Sequence, residues 1–151
     1  MRKFILLTFL MYSAISFSQQ SKSETCDCSE LTMQGKDGRS AFKENFVYTG
    51  TCITTNPEGV VIKEQAFING QLEGELKEYF PAGNIKEITT YTKNMKHGKY
   101  VLYNQSGKIL IEGSYSNQQK EGVWNFYDKA SGKLIKSTTY RYGKENLPGT
   151  K

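Results

Sequence analysis

Glycine recurs along this chain at a constant interval of 24 residues. The positions in phase are Gly50, Gly74, Gly98 and Gly122. An interval of about 20 to 50 residues is typical of architectures in which one supersecondary unit stacks on copies of itself. The interval therefore predicts a repeat protein, and it constrains the fold far more than the chemistry.

Four copies of the unit follow from this spacing, at 50–73, 74–97, 98–121 and 122–146. A second glycine recurs inside each copy, at Gly59, Gly83, Gly107 and Gly132. A closing aromatic residue recurs as well, at Phe67, Tyr91, Tyr115 and Tyr140. The fourth copy has one extra residue within 129–131, a polar stretch that reads as a loop because loops tolerate insertions.

Inside a copy, apolar and polar residues alternate with a period of two, which indicates a β-hairpin. In the third copy, Tyr100 and Leu102 are predicted to share one face of the outgoing strand. After a turn at 104–107, Ile109 and Ile111 are predicted to share one face of the returning strand. The 24-residue glycine is expected at the junction between hairpins, and the second glycine at the turn inside each one.

Four such hairpins predict an all-β fold, an elongated single-layer stack of antiparallel hairpins. At roughly 4.8 Å per strand, eight strands would extend for about 40 Å. A lone hairpin is marginal in water, so each one is expected to bury its apolar face against the next.

Two further series keep step with the glycines. Two residues after each glycine stand Cys52, Leu76, Tyr100 and Trp124, and five residues after it stand Thr55, Tyr79, Tyr103 and Tyr127. Their parity is opposite, so either a bulge re-aims the second series or it stacks on the other face. The rings are expected mainly to pack, and a platform for sugars or bases is the alternative. Tyr79, Tyr103 and Tyr127 are the candidate interaction surface because their parity points them away from the first series.

Three stretches carry a family resemblance: Gly-Glu-Leu-Lys-Glu-Tyr at 74–79, Gly-Lys-Tyr-Val-Leu-Tyr at 98–103 and Gly-Val-Trp-Asn-Phe-Tyr at 122–127. With the linker at 91–98, they resemble the MORN-repeat variant family of bacterial proteins, and the resemblance covers 50–146. It implies hairpin repeats that serve as non-enzymatic modules in protein or membrane association, with some antitoxin-like members. The first copy departs from the pattern at Cys52 and Thr55, which implies a cap more than a full repeat.

Residues 1–18 have the pattern of a secretory signal peptide. Arg2 and Lys3 precede an apolar run at 4–12, and small residues at Ser16 and Ser18 predict cleavage after Ser18. A retained membrane anchor is the alternative. The predicted organisation continues with a lead-in and cap at 19–47, the repeat domain at 48–146 and a polar tail at 147–151, in an extracytoplasmic protein.

Three cysteines, Cys26, Cys28 and Cys52, follow the predicted export signal. Because disulfides persist in oxidising compartments, a disulfide from Cys52 to either Cys26 or Cys28 is expected, with one thiol left over. Free thiols are the alternative. A metal site is disfavoured because Cys-x-Cys with one distant cysteine and a single histidine lacks a second ligand pair.

The sequence contains little sign of catalysis. The single histidine, His97, is expected at a turn position that Glu73 and Glu121 occupy in other copies, and no nucleophile elbow or phosphate-binding glycine loop is present. No enzyme activity, cofactor or metal is predicted.

The charge pattern disfavours nucleic acid as a partner. Removing Arg2 and Lys3 lowers the formal charge from +5 to +3, and acidic residues separate the remaining basic ones. Weak attraction to a membrane surface would follow if one side were lined by Lys96, Lys99, Lys108 and Lys120. The leading hypothesis is an exported protein-binding or scaffold module at the cell envelope. The alternatives are an antitoxin or immunity-type protein and a membrane-surface or glycan-binding module.

Overall fold

The computed structural model describes residues 25–146, so the predicted signal peptide, residues 19–24 and the predicted tail at 147–151 lie outside the described residues. Nearly all regular structure is β. Between residues 25 and 146, no helix is long and apolar enough to cross a membrane. The elements are β1 (Thr25–Asp27), a 3₁₀ helix (Cys28–Glu30), β2 (Leu31–Gln34), β3 (Ser40–Lys43), β4 (Phe46–Val47), β5 (Gly50–Thr55), β6 (Val61–Ile68), β7 (Gln71–Tyr79), β8 (Ile85–Thr92), β9 (Met95–Tyr103), β10 (Ile109–Ser116), β11 (Gln119–Tyr127), β12 (Leu134–Arg141) and β13 (Lys144–Glu145).

One ten-stranded sheet contains the repeats. From β5 to β13 each strand pairs with the next along the chain, always antiparallel, and β1 adds to β5 in parallel. The four hairpins are β5–β6, β7–β8, β9–β10 and β11–β12. The predicted all-β stack of antiparallel hairpins is confirmed.

Successive hairpins are joined by two-residue turns. Both residues of each turn have positive φ, the type I′ combination that suits the twist of flanking strands, at Asn69–Gly70, Lys93–Asn94, Asn117–Gln118 and Tyr142–Gly143. The second turn residue donates its N–H to a carbonyl of the preceding repeat, as Asn94 does to Leu72 at 3.0 Å and Gln118 to Lys96 at 2.9 Å. These bonds connect each hairpin to the one before it.

The 24-residue glycines lie inside strands. Gly74, Gly98 and Gly122 stand in β7, β9 and β11 with φ of 94°, 105° and 72°, where the pairing between hairpins shifts register. Glycine favours such a backbone because it has no Cβ to clash at positive φ. The prediction that this glycine marks the junction is therefore wrong, because the junction is the two-residue turn that precedes it.

A second irregularity lies within each hairpin. The returning strand contains one residue more than the outgoing strand requires, at Ile62, Lys86, Leu110 and Ile135. In the third hairpin, Ile109 pairs with Tyr103 and Ile111 pairs with Leu102. Because Tyr103 and Leu102 are neighbours on alternating faces, the prediction that Ile109 and Ile111 share a face is wrong.

A continuous row of side chains crosses the sheet on one face. Its members in strand order are Cys52, Gln65, Leu76, Thr89, Tyr100, Gly113, Trp124 and Thr138. Trp124 is 1% exposed, and its ring covers Gly113 so closely that a Cβ there would lie 2.7 Å from Trp124 Cγ. The largest side chain of the row therefore needs the smallest one beside it.

The N-terminal residues form a cap with its own small core. Strands β2, β3 and β4 make a three-stranded sheet, and Cys26, Ala41, Tyr48, Cys52 and Phe67 are buried together. The Ala41 N–H donates to the carbonyl of Gly70 at 2.8 Å, which attaches the cap to the first junction turn.

A disulfide links the cap segment to the first hairpin. Cys28 and Cys52 are joined, and Cys26, which stands opposite Cys52 in the parallel pairing of β1 and β5, is a buried free thiol. The bond attaches the 3₁₀ helix to β5 in the folded chain. It also stabilises the fold, because a cross-link restricts the unfolded chain.

Candidate interaction surface

The tyrosine series Tyr79, Tyr103 and Tyr127 is half-buried at the end of the outgoing strands. The Tyr79 hydroxyl donates to Glu64 at 2.8 Å, and the Tyr127 hydroxyl donates to Glu112 at 2.5 Å. Each glutamate belongs to the hairpin before its tyrosine. Two of the three predicted surface residues therefore act as links between neighbouring repeats.

Tyr103 differs from the other two because Ile88 occupies the position of Glu64 and Glu112. It lines an open groove of about 670 Å³ that spans the loops of three successive hairpins. The groove is lined by Phe80, Tyr103, Asn104, Gln105, Ser106, Leu110, Asp128, Lys129 and Ala130. Apolar side chains thus form part of its wall, and polar loop groups complete it.

The loops around the groove are fixed by hydrogen bonds. The Asn104 side-chain oxygen accepts from the N–H groups of Ser106 and Lys108, and its amide donates to the Lys129 carbonyl at 3.1 Å. The Lys108 ammonium donates to the Ala130 carbonyl at 2.6 Å. A groove held in this way is preorganised, which reduces the conformational entropy lost when a partner binds.

The tyrosine–glutamate links change the titration of both partners. Burial, followed by the hydrogen bond to Glu64, raises the pKa of Tyr79 from 10.0 to about 12. The hydrogen bond to Glu112 raises the pKa of Tyr127, and the same bond lowers the pKa of Glu112. Each link is strongest while the tyrosine is protonated and the glutamate is ionised.

We expect the free energy of unfolding to fall as the pH rises from about 10 to about 12. Tyr79 loses its proton near the ordinary tyrosine pKa of 10.0 in the unfolded chain but only at about 12 in the folded one. The folded state then binds more protons, so stability present below pH 10 is lost as the pH rises through the folded pKa. Urea unfolding at stepped pH measures the slope.

Substitutions at equivalent positions separate this effect from general alkaline unfolding. Tyr79→Phe should make the slope shallower because the titrating hydroxyl is gone. Tyr103→Phe, at the equivalent position without a glutamate, should leave the slope as in the unmodified protein. Equal slopes for all three proteins would contradict the role given to the Tyr79–Glu64 link.

The opposite face contains an aromatic cluster. The Tyr100 and Trp124 rings stack with centroids 5.3 Å apart, and Tyr115 and Tyr140 pack edge-on against Trp124. The Lys120 ammonium lies 4.3 Å from the centre of a Trp124 ring. Because Trp124 is buried, this cluster is core and does not present an open stacking platform.

The four lysines proposed for a membrane-facing row are separated in the structure. Lys96 and Lys120 lie over the rings of Tyr115 and Trp124. Lys99 acts electrostatically on Glu112, on the tyrosine-series side, and Lys108 belongs to a loop beside the groove. The predicted row along one side is therefore not formed.

His97 and its counterparts lie in strands rather than in turns. His97 belongs to β9, and the equivalent Glu73 accepts a hydrogen bond from the turn N–H of Lys93 at 2.9 Å, as Glu121 does from Tyr142. The expected turn position is wrong because the junction turns come earlier. Across residues 25–146, no group of three or more His, Cys, Asp or Glu side chains is arranged to hold a metal ion.

The hairpin geometry and a family model agree on the repeat. The family model described as MORN repeat variant matches residues 72–93 and 96–117, which are the second and third hairpins. Residues 72–93 and 96–117 of this chain are MORN-variant repeats. The first and fourth hairpins, outside the matched residues, have the same strand pairing and the same bulge within the hairpin. No curated protein and no solved structure matches the chain.

Sequence reasoning located Tyr103 but missed the rest of the groove. Phe80 stands between a strand tyrosine and the predicted turn, and simple alternation puts Leu110 on the face opposite Ile109. Every copy contains one residue more than strict alternation allows. This recurrence is the signal that could have located Leu110. MORN repeats of this kind indicate a repeat-based protein-binding module.

Proposed function

We propose that this chain is a non-enzymatic, exported protein-binding module that acts at the cell envelope. The observation that carries the proposal is the groove of about 670 Å³ built across three hairpin loops around Phe80, Tyr103 and Leu110. Stacked repeats present extended binding surfaces, and aromatic side chains in pockets dominate many protein interfaces. A partner would place an apolar side chain into the groove and contact the polar loop groups at its rim.

Two features support the exported location. Residues 1–18 read as a signal peptide, and the Cys28–Cys52 disulfide belongs in an oxidising compartment. The partner is therefore expected among envelope or extracellular proteins. A captured toxin would make the protein an immunity-type member of the same binding class.

Affinity capture from an envelope extract tests the function with the full processed chain. Leu110→Lys is expected to reduce capture of the partner about tenfold, because it places a charge in the groove wall. Lysine is tolerated at this position of the hairpin, since Lys86 occupies it in the second repeat. Quantitative mass spectrometry of the bound fraction measures the change.

Ile62→Lys is the matched control, because Ile62 occupies the same bulge position in the first hairpin, away from the groove. It should capture the partner as the unmodified protein does. A partner retained equally by all three proteins would mean that the groove is not the binding site. Capture of no partner would count against the proposed function itself.

A further inference from the structure

The last hairpin is followed by β13, a strand of two residues. Lys144 and Glu145 pair with Arg141 and Tyr140, just as the first two residues of β7 pair with Ile68 and Phe67. β7 then continues through its bulge for seven more residues, whereas β13 ends and the Asn146 N–H bonds to the Thr139 carbonyl at 2.8 Å. Within residues 25–146, no residue occupies the pairing positions that follow.

The outer side of β12 consequently has no strand partner over Leu134–Thr138 within the part of the chain that the structure describes. The outward Thr139 carbonyl shows that the N–H and C=O of Ser137, two residues away, also point outward. Leu134 and Ile135 on this segment are 56% and 67% exposed. Such a strand edge is a template for pairing with another chain.

A buried hydroxyl at this edge also lacks a partner. Thr138 is 5% exposed, and its Oγ1 makes no hydrogen bond to the residues described. The equivalent Thr89 donates to Glu87 at 2.9 Å, but β12 has Lys136 where β8 has Glu87. An unmade hydrogen bond at a buried group is costly. Among the residues described, this edge has no acceptor beside the Thr138 hydroxyl, and an acceptor placed there would also lie close to Lys136.

The junction of the first and second hairpins shows which residues a strand paired at the β12 edge would have, because β7 pairs with β6 in the equivalent place. There Leu76 stands opposite Gln65 and Glu78 stands opposite Lys63. Thr138 and Lys136 occupy the positions of Gln65 and Lys63 in the repeat. Lys136 now bonds Glu145 at 3.1 Å, but this pair is exposed to solvent and weak.

We propose that the β12 edge binds an extended antiparallel strand of another protein. That strand has a large apolar residue opposite Thr138 and, two residues later, an aspartate or glutamate opposite Lys136. The carboxylate would accept from both Lys136 and Thr138, as Glu87 accepts from Thr89. The inference rests on the proposed protein-binding function, although it concerns a different surface from the groove.

A second copy of this chain fits the edge poorly. Two-fold pairing centred on Lys136 would place the two Lys136 side chains opposite each other, and like charges directly opposite are destabilising. Centring the pair nearer Tyr140 would bring the second copy onto β13. The apolar-x-acid strand of β7 lies inside the sheet, paired on both sides, and is not available.

The test uses the full processed chain and a fluorescent peptide of residues 74–92. This peptide is the second hairpin without its first three residues, whose places in the last repeat are taken by Lys144, Glu145 and Asn146. Fluorescence anisotropy should show saturable binding. Ser137→Pro should weaken it at least about tenfold, because it removes the outward N–H while keeping the inward pairing to β11. Ser137→Ala, which loses the same side-chain bond to Asn125, should bind as the unmodified chain does.

A charge exchange gives an independent reading that does not depend on proline. Lys136→Glu should weaken the peptide about tenfold, and a peptide with Glu78→Lys should recover most of that loss. Unaltered binding in Ser137→Pro, or no saturation up to about 1 mM peptide, would overturn the inference. Self-association that Ser137→Pro abolishes would assign the edge to a second copy instead. Because Leu110→Lys probes the groove separately, failure of the edge and failure of the proposed function are distinguishable.

Discussion

Gly113→Thr is expected to destabilise the folded protein by about 2 to 3 kcal/mol. The Trp124 ring occupies the space above Gly113, and an added Cβ would lie 2.7 Å from Trp124 Cγ. The backbone at Gly113 does not have the positive φ of the bulge glycines, so the penalty is overpacking rather than backbone strain. The free energy of unfolding in urea measures it.

The junction of the first and second hairpins supplies a rescue for this variant. There Gln65 stands opposite Leu76, in the places of Gly113 and Trp124, so leucine leaves room for a side chain at the glycine position. Trp124→Leu alone should cost about 2 to 3 kcal/mol by leaving a cavity. Combined with Gly113→Thr it should cost less than the two single losses together, by at least about 1 kcal/mol. Strict additivity would show that the ring and the glycine are not coupled.

Loss of the Cys28–Cys52 disulfide is expected to lower the free energy of unfolding by about 3.5 kcal/mol, as the chain-entropy relation gives for a loop of this length. The two residues are 24 apart in sequence. A chain with Cys26→Ala and Cys28→Ser, which cannot re-pair Cys52, is compared with Cys26→Ala alone. Urea unfolding measures the difference.

Thiol alkylation checks the pairing directly. Under native, non-reducing conditions Cys26→Ala should retain the disulfide and show no free thiol by mass spectrometry. In the unmodified protein, denaturation without reduction should expose one thiol, on Cys26. Alkylation of all three cysteines would show that the disulfide is absent.

The hairpins could be predicted from the sequence because every copy meets the same local requirements. Gly83 and Gly107 supply positive φ in the hairpin loops, and alternation around Tyr100 and Leu102 identifies a strand. The bulges could not be read in the same way. One additional residue, such as Leu110, reverses the faces of everything beyond it, and alternation alone does not show where it is inserted.

The sites depended on residues that differ between copies. Ile88 in place of a glutamate is a small change in sequence, yet it leaves Tyr103 without the link that Tyr79 makes. Spacing alone left open whether Cys26 or Cys28 pairs with Cys52. In the structure β1 places Cys26 opposite Cys52, but the disulfide is formed by Cys28, in the 3₁₀ helix that follows. Such choices depend on strand pairing across the cap.

A stack of four β-hairpins with a 24-residue repeat could be inferred from the sequence alone. Periodicity, turn glycines and alternation act within one repeat, and identical local requirements recur at identical intervals. Tertiary contacts, by contrast, set which face each side chain occupies, which loops enclose the groove and, within residues 25–146, where pairing along β12 stops. Those outcomes depend on register between strands, and a shift of one residue exchanges the two faces of a sheet.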